Sequence, residues 1–168
     1  ADHEGGFGDT ALHQFPYNLK ALAENNGHYS LLKETPFGST LLNNLAMESI
    51  KQLKLGQDEH TDFVSISFST TDYVGHRFGI HSLELADCYA RLDIELARLF
   101  AFLDEQVGKD NYVLFLSSDH GAASTPNYAE AHYDGGYANS RRIEEAVRNF
   151  CKQEFGSTSI FEGIKNQQ

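Results

Sequence analysis

The chain has 168 residues, 40 % of them hydrophobic and 12 % aromatic, which is typical of one globular domain with a core of ordinary size. Thirteen Lys and Arg against 24 Asp and Glu give a net charge of −11, so a basic surface that binds nucleic acid is not expected. No stretch approaches the roughly 18 apolar residues needed to cross a bilayer, so we expect no membrane span.

The residue pattern of the first third of the chain predicts loops followed by a helix. Residues 1–34 are rich in Gly, Pro and Asn, with a short helical stretch near 17–24. A longer helix is predicted over 39–55, because leucine and isoleucine recur close to a 3.6-residue spacing between Pro36 and Gly56.

The central third predicts a strand, a helix and a second strand. Residues 62–69 are rich in β-branched and aromatic side chains, and 111–117 form a nearly continuous apolar run, as in a strand covered on both faces. Between them, Ser82 should cap a helix reaching Val107, whose outer face of Asp87, Arg91, Glu95 and Arg98 we expect to be solvated. This order predicts a parallel, right-handed βαβ unit in an α/β fold.

The last third, residues 126–168, predicts a loop and a helix over 141–154 that ends at Gly156. Two strands are few for such a fold, so further strands could lie at 28–32 or 159–161. Cys88 and Cys151 both lie in helical patterns and are expected to be buried free thiols, although a disulfide is not excluded by sequence.

Two aspartate–histidine pairs follow the two predicted strands. Asp72 and His76 follow the first strand, and Asp119 and His120 follow the second. Carboxylate oxygen and imidazole nitrogen are ligands for zinc and similar metals, and the carboxyl ends of parallel strands meet at one edge of a sheet. We therefore expect the four side chains to meet at a metal centre.

Each pair also has a structural interpretation, because an Asp after a strand is often a helix or turn cap. The joint placement strengthens the case for metal binding, but the residues alone leave both metal binding and capping open. The other histidines lack a comparable acidic partner and are expected at the surface or in caps: His3, His13, His28, His60, His81 and His132.

Several motifs in order resemble the alkaline phosphatase superfamily, in its type I phosphodiesterase/nucleotide pyrophosphatase branch. They are residues 35–38 (TPFG), 65–76 (SISFSTTDYVGH), 92–93 (LD) and 115–121 (FLSSDHG). The spacing from Asp72 to Asp119 is similar to that of the bacterial alkaline phosphatases that use a threonine nucleophile. The resemblance covers about residues 35–125.

The resemblance implies part of a three-layer α/β/α sandwich with a mainly parallel sheet, in a periplasmic or secreted hydrolase of small phosphate esters. It implies two zinc ions, one bound by Asp72 and His76 and the other by Asp119 and His120. The family's nucleophile, a further aspartate and a third histidine have no counterpart here, and His132 is a poor match for that histidine.

Counting ligands from the residues leads to the same expectation. A catalytic zinc usually takes three protein ligands, so two ions need about six, whereas the motifs supply four. We expect residues 1–168 to be a single partial domain of a larger enzyme, inactive alone, without a nucleophile at Thr70 or Thr71. Two alternatives remain open: a non-catalytic metal-binding or interaction domain of the same fold, and a sulfatase-like ester hydrolase. The sequence does not indicate the oligomeric state.

Overall fold

The structure, a computed structural model, describes residues 6–7 and 15–164. The chain divides into two compact units, Ala1–Thr125 and Pro126–Gln168. Within the described residues no helix is both long enough and apolar enough to cross a membrane. The predicted surface positions of His3 and His13 lie outside the described residues.

The described residues of the first unit form four α-helices and a 3₁₀ helix. They are α1 (Leu19–Ala23), the 3₁₀ helix (His28–Glu34), α2 (Pro36–Leu53), α3 (Thr70–Phe78) and α4 (Leu83–Leu103), which a π-helical turn continues over Asp104–Gly108. Ser82 caps α4 as predicted, since its side chain accepts a hydrogen bond from the Leu85 amide. The predicted helices at 17–24, 39–55 and 82–107 are confirmed with small shifts of their ends.

The core of the first unit lies beneath α3. The buried side chains are Phe7, Leu22, Leu31, Val74, Phe78, Leu85 and Cys88. Val74 and Phe78 are one helical turn apart and each is 1 % exposed, so one face of α3 is fixed in the core. The opposite face of this helix is left for polar residues.

A buried polar group joins α2 to α4. Glu95 is only 7 % exposed and accepts hydrogen bonds from Thr40 (2.8 Å), Asn43 (2.9 Å) and Arg98 (2.6 Å). The predicted solvated outer face of α4 is therefore wrong at Glu95, because α2 packs over this position. A buried carboxylate is tolerated here since its oxygens have partners.

The two predicted strands are wrong as secondary structure, because no strand occurs within the described residues. Residues 61–68 and 112–118 form no helix, strand or turn, so they lack the hydrogen-bond ladder of a neighbouring strand. The second segment is also not covered: Val113 is 80 % and Phe115 88 % exposed. The predicted βαβ unit is thus absent, since a strand requires a partner for its backbone groups.

The two further strand positions are also wrong. Residues 28–32 belong to the 3₁₀ helix, and residues 159–160 form a turn. Both cysteines are buried and free, as expected, and burial together with the Asp87 charge raises the pKa of Cys88 to about 11.

The second unit contains α5 (Pro126–His132) and α6 (Ser140–Phe155). The predicted helix at 141–154 is confirmed: Asn139 caps α6, and Gly156 ends it with a φ of 72°. Arg148 of α6 donates hydrogen bonds to the Phe161 and Glu162 carbonyls, so the segment after Gly156 folds back on the helix.

Candidate functional site

Helix α3 sets the geometry of the first aspartate–histidine pair. Asp72 and His76 are four residues apart and lie on the face of α3 opposite Val74 and Phe78. Their side chains remain 43 % and 61 % exposed, and Asp72 Oδ1 lies 3.4 Å from His76 Nε2. None of the predicted helices covers this segment, although a spacing of four residues is the spacing of neighbours on one face of a helix.

The second pair follows residues 112–118, which have no regular secondary structure. The Asp119 carboxylate accepts a hydrogen bond from the His120 amide at 3.0 Å, and its Oδ2 lies 3.8 Å from His120 Nε2. Asp119 is 90 % exposed. Because the backbone is not in a paired strand here, both side chains can be on the same side of the chain.

The two pairs meet through Asp72 and His120. Asp72 Oδ1 lies 3.6 Å from His120 Nε2, nearly as close as it lies to His76 on its own helix. The structure therefore brings Asp72, His76 and His120 together, with Asp119 beside His120.

The distances can be compared with a zinc site. Two ligand atoms about 2.0–2.1 Å from one tetrahedral zinc are separated by about 3.3–3.4 Å. The Asp72–His76 distance of 3.4 Å fits such an edge, and the Asp72–His120 distance of 3.6 Å is slightly longer. However, within the part of the chain that the structure describes, no three His, Cys, Asp or Glu side chains form a complete metal-holding group. The donor types fit zinc, and the ligand shell is partial.

The His120 ring is oriented by its own backbone. Nδ1 lies 2.9 Å from the Gly121 carbonyl oxygen, an arrangement in which Nδ1–H donates and Nε2 faces Asp72. The net shift of the His120 pKa is upward: this hydrogen bond and then the Asp119 charge raise the pKa most, desolvation lowers it, and the Asp72 charge raises it by a smaller amount. Metal-binding histidines commonly donate their second nitrogen in this way.

Arg77 fixes α3 from the side. Its guanidinium forms an ion pair with Glu34 of the 3₁₀ helix and donates to Asn26 Oδ1 (3.1 Å) and the Gly6 carbonyl (3.2 Å). It also lies over the Phe7 ring. This group of contacts could not be predicted from sequence, since nothing in the local pattern links Arg77 to residues so distant in the chain.

Two other histidines that the structure describes, His132 and His81, have local contacts of their own. His132 stacks on Tyr128 at 4.0 Å between ring centroids, and its Nδ1 is 2.9 Å from the Tyr128 carbonyl oxygen. His81 pairs with the Ser124 hydroxyl.

The two threonines at the start of α3 have hydroxyls turned to the protein: Thr70 is 6 % exposed, and the Thr71 hydroxyl donates to the Phe68 carbonyl.

Comparison with known proteins identifies relatives of most of the chain. Residues 8–150 match the family described as type I phosphodiesterase / nucleotide pyrophosphatase. Alkaline phosphatase PafA of Elizabethkingia meningoseptica is 39 % identical over 98 % of this chain, and alkaline phosphatase PhoV of Synechococcus elongatus is 42 % identical over 98 %. A protein named calcium-transporting ATPase from Myroides odoratus is 40 % identical over 92 %.

The fold is similar to a solved structure as well. The crystal structure of wild-type alkaline phosphatase PafA matches with a TM-score of 0.77 and 39 % identity over 93 % of this chain. The chain spans 28–30 % of the length of these curated relatives.

Proposed function

Because this chain belongs to the type I phosphodiesterase / nucleotide pyrophosphatase family, we propose that it is one part of a two-zinc hydrolase of small phosphate esters. It contributes four ligands: Asp72, His76, Asp119 and His120. The observation that carries the proposal is the position of Asp72 Oδ1, within 3.4 Å of His76 and 3.6 Å of His120. Relatives named alkaline phosphatase support the phosphoester substrate class.

Each pair has a distinct task in this proposal. Asp72 and His76 hold one ion from the rigid face of α3, and Asp119 and His120 hold the other from the loop. When bound, two neighbouring zinc ions supply positive charge for the attacking and leaving oxygens of an in-line displacement. The His120–Gly121 hydrogen bond keeps Nε2 available as a ligand.

The nucleophile belongs to a part of the enzyme outside these residues. Thr70 is buried against α2, where its Oγ1 lies within 2.8 Å of the position a Cβ on Gly38 would take. The Thr71 hydroxyl is turned to a backbone carbonyl. Neither hydroxyl has a general base beside it in the described structure, which supports a chain without its own nucleophile.

Two segments without regular secondary structure support the proposal that this is a fragment. Residues 61–68 and 112–118 expose apolar side chains such as Phe63 (91 %) and Phe115 (88 %), which a three-layer α/β/α sandwich would cover. In the complete enzyme they would be strands of a mainly parallel sheet. A periplasmic or secreted location follows from the family resemblance alone.

Zinc titration by calorimetry tests the metal-binding part. We expect the 168-residue chain to bind zinc, and Asp72→Ala and Asp119→Ala each to weaken binding by at least tenfold, because each removes a ligand. Asp110→Ala is the matched control, since Asp110 is an exposed aspartate that belongs to neither pair. Equal binding by all four proteins would contradict the proposal.

Turnover tests the fragment part. With zinc added, the chain should hydrolyse nitrophenyl phosphate and its diester no faster than the Asp72→Ala variant. Substantial turnover lost in Asp72→Ala would mean that the nucleophile lies within residues 1–168.

A non-catalytic interaction domain of the same fold is the second candidate, and the exposed apolar segments favour it. It predicts that the sequence flanking this chain in its gene lacks an upstream threonine or serine nucleophile. A sulfatase-like specificity predicts turnover of sulfate esters over phosphate esters once the chain is joined to its flanking regions.

A further inference from the structure

The two ligand-bearing segments also touch at a point that contains no metal ligand. His81, in the turn after α3, lies with Nε2 3.0 Å from the Ser124 hydroxyl, in the loop after His120. Beside this pair, a Cβ on Gly79 would lie 3.2 Å from the Thr125 methyl group. Residues 79–81 and 124–125 are thus in close contact.

The turn that carries His81 is firmly anchored. The Gly79 amide donates to the Gly75 carbonyl at 2.9 Å, and the Ser82 hydroxyl donates to the Gly79 carbonyl at 2.7 Å. Ser82 is 3 % exposed and also caps α4. His81 therefore has a fixed position between α3 and α4.

The loop that carries Asp119 and His120 is shaped mainly by local contacts. The Ser118 hydroxyl donates to the His120 carbonyl, and the His120 amide and ring bond to Asp119 and Gly121. These bonds orient the His120 ring, but they do not determine how far the loop lies from α3. A hydrogen bond from this loop to an anchored residue would fix that distance.

We propose that His81 and Ser124 are positioning residues whose hydrogen bond holds residues 119–125 against α3, so that His120 reaches Asp72. The inference rests on the proposed function, since it concerns assembly of the same metal site. Neither residue is a ligand or a nucleophile in it. Their role is to make the two ligand pairs act as one site.

The test uses zinc titration of the 168-residue chain, followed by NMR of the histidine rings. In the unaltered chain, zinc should shift the His76 and His120 resonances over the same concentration range. In Ser124→Ala and His81→Ala, zinc affinity should fall about tenfold, the lower end of the effect of residues that orient metal ligands. The His120 shift should then require more zinc than the His76 shift.

Conservative variants separate positioning from a general structural effect. Ser124→Thr and His81→Gln keep a hydrogen-bonding group and should restore the joint response of the two rings. Ser49→Ala removes an exposed hydroxyl on α2, which donates to the Leu45 carbonyl, and should change nothing. Thermal unfolding of each variant verifies that the fold is retained.

The outcomes distinguish the two proposals. If Asp72→Ala abolishes zinc binding while Ser124→Ala and His81→Ala leave affinity and the joint response unchanged, the positioning role is wrong and the metal site stands. If zinc shifts neither ring in the unaltered chain, the proposed function is wrong, and the inference fails with it.

Discussion

Asp72 and His120 lie 3.6 Å apart, measured from Oδ1 to Nε2. Asp72 is on α3 and His120 is in the loop after residues 112–118, so the whole of α4 separates them in the chain. Neither residue is in the core. Their proximity follows from the packing of α3, whose opposite face is buried through Val74 and Phe78, and from the contact between residues 79–81 and 124–125.

This proximity predicts the titration of His120. The Gly121 carbonyl, Asp119 and Asp72 raise its pKa, so the imidazolium persists to higher pH than in an ordinary histidine. Asp119→Asn and Asp72→Asn should each lower the pKa of His120, because each removes a negative charge. NMR titration of the metal-free chain measures this, with the unaltered chain as the reference.

The protonation of His120 also predicts how zinc affinity depends on pH. A proton on Nε2 excludes a metal ion, so zinc affinity should fall as the pH drops through the pKa of His120. An unchanged His120 pKa in both variants would show that the two carboxylates do not interact with this ring in solution.

A second prediction concerns Arg77. Arg77→Ala removes hydrogen bonds that join α3 to the 3₁₀ helix and to residue 6, and it leaves the half-buried Glu34 carboxylate without its partner. We expect a loss of about 1–3 kcal/mol in the free energy of unfolding, measured with urea. Arg77→Lys should recover only part of it, since an ammonium cannot reproduce the planar fork.

Arg141→Ala is the matched control for Arg77. Arg141 is 89 % exposed and pairs with Glu145 one turn along α6, so its removal should cost at most about 0.5 kcal/mol. Equal losses in Arg77→Ala and Arg141→Ala would mean that the contacts of Arg77 with distant parts of the chain contribute nothing.

The sequence predicted the helices well because their signals are local. Ser82, Gly156 and the leucine spacing of α4 act within a few residues. The predicted strands are wrong because a strand is stabilised by backbone hydrogen bonds to a neighbouring strand. The described part of this chain provides no such neighbour for residues 61–68 and 112–118.

The site was predictable as a set of residues and not as a geometry. The identities of Asp72, His76, Asp119 and His120 follow from motif and spacing, and they stay a prediction until metal binding is measured. Their distances depend on the tertiary contacts of His81 with Ser124 and of Arg77 with Glu34. Such contacts leave no periodic trace in a sequence.

A third prediction concerns Glu95 and acid. Burial acts to raise the pKa of this carboxyl, but hydrogen bonds from Asn43, Thr40 and Arg98 outweigh it and the net shift is downward. A lowered folded pKa means that the stabilising contribution is present above the unfolded pKa and is lost as pH falls through the folded value.

The test of Glu95 compares Glu95→Gln with the unaltered chain in urea at pH 7 and at pH 3–4. The difference in unfolding free energy between Glu95→Gln and the unaltered chain should be larger at pH 7. Glutamine has nearly the volume of glutamate but lacks the negatively charged carboxylate that accepts these hydrogen bonds. A difference that does not change with pH would contradict a charged Glu95 at this interface.

A fourth prediction compares two glycines that both lie in helices. A Cβ on Gly38 in α2 would lie 2.7 Å from the Leu32 carbonyl oxygen and 2.8 Å from Thr70 Oγ1. Since one of these atoms belongs to the backbone, Gly38→Ala should force α2 away from the 3₁₀ helix and from the start of α3. The expected loss of stability is about 1–3 kcal/mol, typical of overpacking.

Gly75 in α3 provides the opposite case. A Cβ there would lie 3.8 Å from Leu85, an ordinary contact, so Gly75→Ala should stabilise the helix by up to about 1 kcal/mol. Urea unfolding measures both variants, and zinc titration of Gly75→Ala should be unchanged because Asp72 and His76 keep their helical face. A destabilised Gly75→Ala or a neutral Gly38→Ala would contradict the packing of α3 on which the ligand geometry depends.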